Sequence, residues 1–158
     1  MTARDTPGVI APPPLVFLGF LAAVLTLDAL WPLPLRPASL DPRIGWTAGA
    51  VLIFVGLVVF VLGVCNFARA GTPVPTRAPS RVLVTTGINA VSRNPIYTAM
   101  FLIYLGAGVL ANSAWVIALF VPLALIIRYG VVAREEIYLE RKFGDDYRAY
   151  KARVRRWF

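Results

Sequence analysis

The chain of 158 residues is 58% hydrophobic and only 15% charged, against roughly 25% charged in a typical soluble domain, and its mean hydropathy is +0.70. A soluble domain of this size has too much surface for its volume to hide so much apolar side chain, so the excess must face lipid; at about 20 residues per span, four spans use half the chain. The net charge is +8, with no histidine and a single cysteine, Cys65, which excludes His-based catalytic dyads, most zinc and haem sites, an intrachain disulfide and any cysteine-rich metal site.

Pro12-Pro13-Pro14 leads into the first apolar run, Leu15 to Leu30, which Trp31-Pro32 ends. Proline suits the first turn of a helix, where its missing N–H is not needed, and tryptophan suits the membrane interface. Arg4 ahead of an apolar stretch also fits a signal peptide, but Asp28 and the prolines stand where a small-residue cleavage site belongs, so the run is read as a retained span. The second run, Trp46 to Phe67, is uncharged and long enough to cross a bilayer. Gly49, Gly56 and Gly63 recur every seven residues along it, a small-residue face against which another helix can pack closely. The third stretch, Ile96 to Ile127, is uncharged over 32 residues, roughly 48 Å as a helix and too long for one span. Asn112-Ser113 is the natural turn, giving a hairpin of two spans, Asn94–Leu110 and Ala114–Ala133, with Pro122 expected to kink the second.

Arg69, Arg77, Arg81 and Arg93 lie between spans two and three, and the tail beyond span four runs from Arg134 through Lys142 and Lys151 to Arg156. The turn between spans three and four has no basic residue, and the first connection has only Arg36 and Arg43. The positive-inside rule therefore predicts that both termini and the segment 69–95 are cytoplasmic. The same asymmetry accounts for the pI of 10.4 without any nucleic-acid partner.

Two of these cytoplasmic pieces are longer than connectors need to be. The segment Arg69–Pro95 contains an apolar Val82-Leu83-Val84, a turn signal at Thr85-Thr86-Gly87, and Ser92-Arg93-Asn94-Pro95 at the start of span three. Asn94 fits the N-cap and Pro95 the first helical position; beside Arg93 such a start is also an anion site. In the tail, Phe143, Tyr147, Tyr150, Val154 and Trp157 form a stripe at helical period, read as a membrane-surface helix held by aromatics and anionic lipid. Gly144 is expected to stop one helix and Asp145 to cap the next. Glu135 and Glu136 follow span four directly; they are either a solvated helix end or, facing the 69–95 segment, a cation site at the membrane boundary.

Leu83-Val84-Thr85-Thr86-Gly87, Ser92-Arg93-Asn94-Pro95-Ile96-Tyr97, Glu135-Glu136, Phe143-Gly144-Asp145-Asp146-Tyr147-Arg148-Ala149-Tyr150 and Val154-Arg155-Arg156-Trp157 occur in that order. The set resembles the isoprenylcysteine carboxyl methyltransferase and phospholipid methyltransferase superfamily, especially its short bacterial members, over about Gly71 to Trp157. Those enzymes carry an LVTxGxY loop, an R-(H/N)-P-x-Y helix start and an EE-x2-L-x3-FG-x2-Y-x2-Y tail. The resemblance implies an integral membrane enzyme that uses S-adenosylmethionine, enclosed by the two cytoplasmic pieces. Carried over by position, the cofactor contacts are Arg81, Val82, Leu83, Val84, Asn89, Asn94, Pro95, Ile96, Tyr97 and Glu135. The eukaryotic carboxyl methyltransferases have His where Asn94 stands and Tyr where Asn89 stands, and the arginine they aim at the substrate carboxylate falls on Val131. Arg128, one turn earlier, or Arg134 is the candidate to orient the substrate in its place.

The fold expected is therefore all-α and membrane-integral: two spans in residues 1–68, then a methyltransferase-like core in 69–158 made of the loop 69–95, the hairpin 94–133 and C-terminal helices in 134–158. Its place is a bacterial inner membrane with both termini cytoplasmic. The function expected is methyl transfer from S-adenosylmethionine to a lipophilic acceptor (a prenylcysteine-type carboxylate, a phospholipid amine, or a small hydrophobic thiol or acid). The alternative is a non-catalytic four-helix scaffold or lipid-binding protein that keeps the same frame. Methyl transfer from a sulfonium suits a chain without histidine, because the cofactor carries the reactivity and the protein mainly orients and desolvates.

Overall fold

The computed structural model describes residues 6–74, 76 and 78–157; Arg4 and Arg77, used in the readings above, lie outside them, as does the terminal Phe158. Among the described residues every regular element is helical: α1 (Pro13–Leu30), α2 (Pro42–Arg69), a 3-10 turn (Gly87–Ala90), α3 (Pro95–Leu110), α4 (Trp115–Leu125), a π segment (Ile126–Val132) and α5 (Ala133–Arg153). Three helices among the described residues are long and apolar enough to cross a membrane: α1, α2 and the continuous helix that runs from Trp115 to Arg153. The shorter α3 has 16 residues, about 24 Å of rise, and completes a set of four helices.

The boundaries follow local chemistry. Each of α1, α2 and α3 starts with proline in its first turn, and at α2 the Asp41 carboxylate accepts the Arg43 N–H at 2.9 Å. Asn112, at φ 54°, turns the hairpin between α3 and α4. Pro122 lies within α4, and the departure from α geometry comes a turn later, as the π segment. The helix does not end with the apolar stretch at Ala133: it carries on as α5, which is polar from Arg134 onward. Gly144 then breaks it, at φ 53° and ψ −121°, a backbone state open to glycine.

Packing sets which helices meet. Gly49, Gly56 and Gly63 are buried along α2 and form the seat of α3. A Cβ placed on Gly56 would lie 2.9 Å from the Ala99 carbonyl oxygen, and one on Gly49 would lie 2.9 Å from that of Gly106. Large residues are therefore shut out of this face, and the two backbones approach closely. Helix α1 packs on α4 and α3 instead, around a core that includes Phe17, Val24, Tyr104, Val116, Leu123 and Ile127. At the end away from the long basic segments, the first connection is tied to the hairpin turn: Ala114 N–H donates to the Leu33 carbonyl at 2.7 Å, and Arg36 Nε to Asn112 Oδ1 at 3.0 Å.

The tail corrects one expectation. The aromatic stripe does not face the membrane surface: Tyr147 and Tyr150 are buried, Tyr150 hydroxyl donates to the Asn89 carbonyl at 2.6 Å, and Trp157 meets Phe101 edge-on at 6.0 Å. The break at Gly144 lets the second half of α5 cover the 69–95 segment, so the stripe is satisfied by protein. Asp145 does not cap this half either; its carboxylate takes the Arg148 guanidinium at 2.6 Å on the surface.

Candidate functional site

Three pieces of chain meet at the basic end: the 69–95 segment, the first turn of α3 and the polar part of α5. Each is held in place by polar contacts that the backbone would otherwise lack. Asn66, near the end of α2, donates through Nδ2 to the Thr86 carbonyl at 2.7 Å and to Asn89 Oδ1 at 2.8 Å. Gly87 sits above it at φ 58°, where a Cβ would come within 2.6 Å of Asn66 Oδ1. Further back along the loop, Ser80 N–H donates to the Tyr138 hydroxyl at 3.0 Å and Arg81 N–H to Thr72 Oγ1 at 2.8 Å.

Between these pieces lies a narrow cleft of about 50 Å³. Of the ten positions that the resemblance assigns to a cofactor, Val82, Leu83, Val84, Asn89, Asn94, Pro95, Ile96, Tyr97 and Glu135 all line it. Arg81 does not, and it is exposed. Neither Arg128 nor Arg134 reaches the cleft. Arg134 donates to the Gly8 carbonyl at 2.8 Å, and Arg128 borders a separate groove with Thr98, Phe101, Phe120 and Trp157.

The two adjacent carboxylates have different surroundings. Glu135 is 5% exposed and accepts the Tyr97 hydroxyl at 2.6 Å, with Thr76 Oγ1 3.4 Å beyond that hydroxyl. Burial pushes its carboxyl up to about 8, and the neighbouring Glu136 adds to the shift against the opposing hydrogen bonds. Glu136 instead closes an ion cluster. Arg156 grips it with two bonds, at 2.9 and 2.6 Å, and Arg93 Nη2 stands 3.2 Å away. The pair of glutamates is thus not a solvated helix end: both line the cleft, Glu135 bonded to Tyr97 and Glu136 held by Arg93 and Arg156.

The start of α3 belongs to the same frame. Asn94 occupies the N-cap position, as its neighbours Ser92 and Pro95 suggest, but its side chain does not cap. Its Nδ2 donates to the Arg156 carbonyl at 3.1 Å, and Arg93 N–H donates to the Arg155 carbonyl at 3.0 Å. In the first turn of α3, Pro95 has no N–H and Thr98 N–H donates to the Asn94 carbonyl at 3.2 Å, which leaves the N–H groups of the cleft residues Ile96 and Tyr97 as its open donors among the described residues. Two buried polar atoms of cleft residues, Ser80 Oγ and Arg93 Nε, have no hydrogen-bond partner among the described residues. Each costs about 1–3 kcal/mol while unpaired, so a polar ligand in the cleft has donors waiting for it.

Several residues of this site carry no motif in the sequence. Asn66 is the one amide in an otherwise apolar run, a signal that could have singled it out. Ser80 and Arg156 look like ordinary loop and tail residues, and only their contacts distinguish them.

Comparison with known proteins places these observations. A 65-residue stretch is 48% identical to an uncharacterized protein of Haemophilus influenzae, covering 39% of this chain and 98% of that one. No solved structure matches. The profile of the phospholipid methyltransferase family matches residues 44–146, from the start of α2 to just past the break in α5. With well over half of its length matched, including most of the cleft, this chain belongs to the phospholipid methyltransferase family of the isoprenylcysteine/phospholipid methyltransferase superfamily.

Proposed function

We propose that this integral membrane protein transfers a methyl group from S-adenosylmethionine to a lipophilic acceptor drawn from the bilayer. Its family is one of methyltransferases that generally use this cofactor. The observation that carries the reading is the single cleft in which every assigned position but Arg81 meets, with the Glu135–Tyr97 bond joining α5 to α3.

The residues present fit the cofactor. The uncapped N-terminus of α3, Arg93 and the unpaired Ser80 Oγ suit an aminoacyl group, whose carboxylate wants N–H donors and arginine. Val82, Leu83, Val84 and Leu139 offer an apolar wall for an adenosine. Glu135 and the Tyr97 ring are the carboxylate and aromatic kinds of group that a sulfonium attracts. When bound, S-adenosylmethionine supplies an electrophilic methyl group for in-line displacement. The chain contributes orientation, a water-poor cleft, and at Glu135 a carboxyl poised at about 8. Such a group, once ionised above about pH 8, can take a proton from an amine or thiol acceptor, whereas a carboxylate acceptor arrives ionised and needs no base.

The cofactor is a cytoplasmic solute, so the basic end faces the cytoplasm in this reading, and the membrane is the bacterial inner membrane. The acceptor classes are a prenylcysteine-type carboxylate, a phospholipid amine, and a small hydrophobic thiol or acid. Calorimetry in detergent with S-adenosylhomocysteine tests the cleft, and transfer of labelled methyl to whole-membrane lipid and protein extract tests the reaction and identifies the acceptor. Absence of binding at millimolar ligand would leave a non-catalytic membrane scaffold.

A further inference from the structure

Resting on that function, a second question is where the acceptor's hydrocarbon lies. Helices α1 and α2 both lean on α3 and scarcely meet each other. The gap between them is a groove lined by Pro14 and Leu21 of α1, Leu57 and Phe60 of α2, and Met100 and Ile103 of α3. Toward the basic end it continues past Phe60 and Met100 to Val74, Thr76, Ile96 and Tyr97. Val74, Ile96 and Tyr97 also line the cleft, so one wall is shared. The groove on the other side of the bundle, between α3 and α4, has Arg128 and Trp157 at its edge and shares no residue with the cleft.

We propose that the groove between α1 and α2 holds the hydrocarbon chain of the lipid acceptor, with its polar end delivered to Tyr97. Among the described residues no charged one lines either stretch. At the inner end the Tyr104 hydroxyl is already spent on the Val116 carbonyl at 3.2 Å. Polarity appears only at the other end, at Thr76 and Tyr97, where Tyr97 hydrogen-bonds Glu135. A groove apolar along its length and polar at one tip matches an amphiphile with a single chain lying along it and its head in the cleft wall. The seven helical steps from Tyr97 to Tyr104 set an axial reach of about 10 Å, so the first part of a long acyl or prenyl chain is held and the rest stays in the bilayer.

The test uses the purified protein in nanodiscs containing phosphatidylethanolamine with a diazirine on its palmitoyl chain. Photocrosslinks are mapped by mass spectrometry without added cofactor, so they report the groove independently of methyl transfer. They should concentrate on residues 57–64 and 97–104 rather than 120–128. Leu57→Trp, from a half-exposed position, fills the groove and should remove those crosslinks; Ala124→Trp, in the α3/α4 groove, should not. In the labelled-methyl assay, Leu57→Trp should raise the acceptor KM roughly tenfold, equal to about 1.4 kcal/mol, with S-adenosylhomocysteine affinity unchanged as the check on folding. Crosslinks spread evenly over the lipid-facing surface, or centred on 120–128, would overturn the assignment, as would loss of crosslinks in Ala124→Trp with retention in Leu57→Trp. Groove crosslinks removed by Leu57→Trp without any methyl transfer would sustain the chain-binding groove and sink the enzymatic function.

Discussion

Replacing Glu135 by glutamine and scanning pH isolates one proton. In the folded protein burial lifts the Glu135 carboxyl from 4.5 to about 8, whereas in the unfolded chain it returns to its ordinary value. Between these two values the folded state holds a proton that the unfolded state has released, so stability falls as pH rises from about 4.5 to 8 and levels off above. The steepest possible slope is about 1.4 kcal/mol per pH unit, so between pH 5.5 and 7.5 the loss has an upper limit of about 2.7 kcal/mol, or roughly 5–10 °C in Tm for a chain of this size. The window is unusually clean because the sequence has no histidine to titrate within it. Thermal unfolding in detergent, followed by circular dichroism at several pH values, reads the slope directly. Wild type should lose stability across the window, and Glu135→Gln should flatten most of that loss. Parallel pH profiles for the two proteins would refute the reasoning, since they would mean that Glu135 is ionised in the folded state as it is in water.

The remaining predictions concern binding, frame and topology. Above pH 8, where the Glu135 carboxyl is ionised, Glu135→Gln should weaken S-adenosylhomocysteine binding roughly 10- to 150-fold, the loss of one charged hydrogen bond of about 1.5–3 kcal/mol. Glu140→Gln, whose carboxylate pairs with Lys151 at 3.2 Å on the surface, should leave calorimetric affinity nearly unchanged. Arg156→Ala strips Glu136 of its two-bond partner and should destabilise the fold by up to about 3–5 kcal/mol, less the screening due to the 30% exposure of the Arg156 side chain; Arg156→Lys should restore only part, because lysine cannot form the paired bonds. Gly56→Leu puts side chain where the Ala99 carbonyl lies and should cost about 1–3 kcal/mol or more in the same unfolding assay. Reporter fusions at the C-terminus and at Ser113 should give opposite compartment signals, with the C-terminus cytoplasmic; equal signals would break the orientation and the proposed cofactor site together.

What was legible in the sequence was local. Apolar run lengths, the prolines that open α1, α2 and α3, the hairpin at Asn112 and the break at Gly144 depend on residues next to each other, and each occurs where the chain chemistry predicts. The glycines at 49, 56 and 63 announce a close helix contact because their spacing repeats on one face, although nothing in that spacing says that the partner is α3 rather than α1. Of the positions that the resemblance assigns to a cofactor, only Arg81 falls outside the cleft. Tertiary structure alone decided the rest. A stripe of aromatics at helical period reads the same whether lipid or protein covers it, and only the turn at Gly144 shows Tyr147 and Tyr150 covered by the loop. Glu135 and Glu136 are neighbours in sequence, but the helix points them about 100° apart. One carboxylate therefore meets Tyr97 in the cleft, while the other meets Arg93 and Arg156. Those partners come from segments far apart along the chain, and burial, which sets the charge on Glu135, is a property of everything that surrounds it and not of the residue itself.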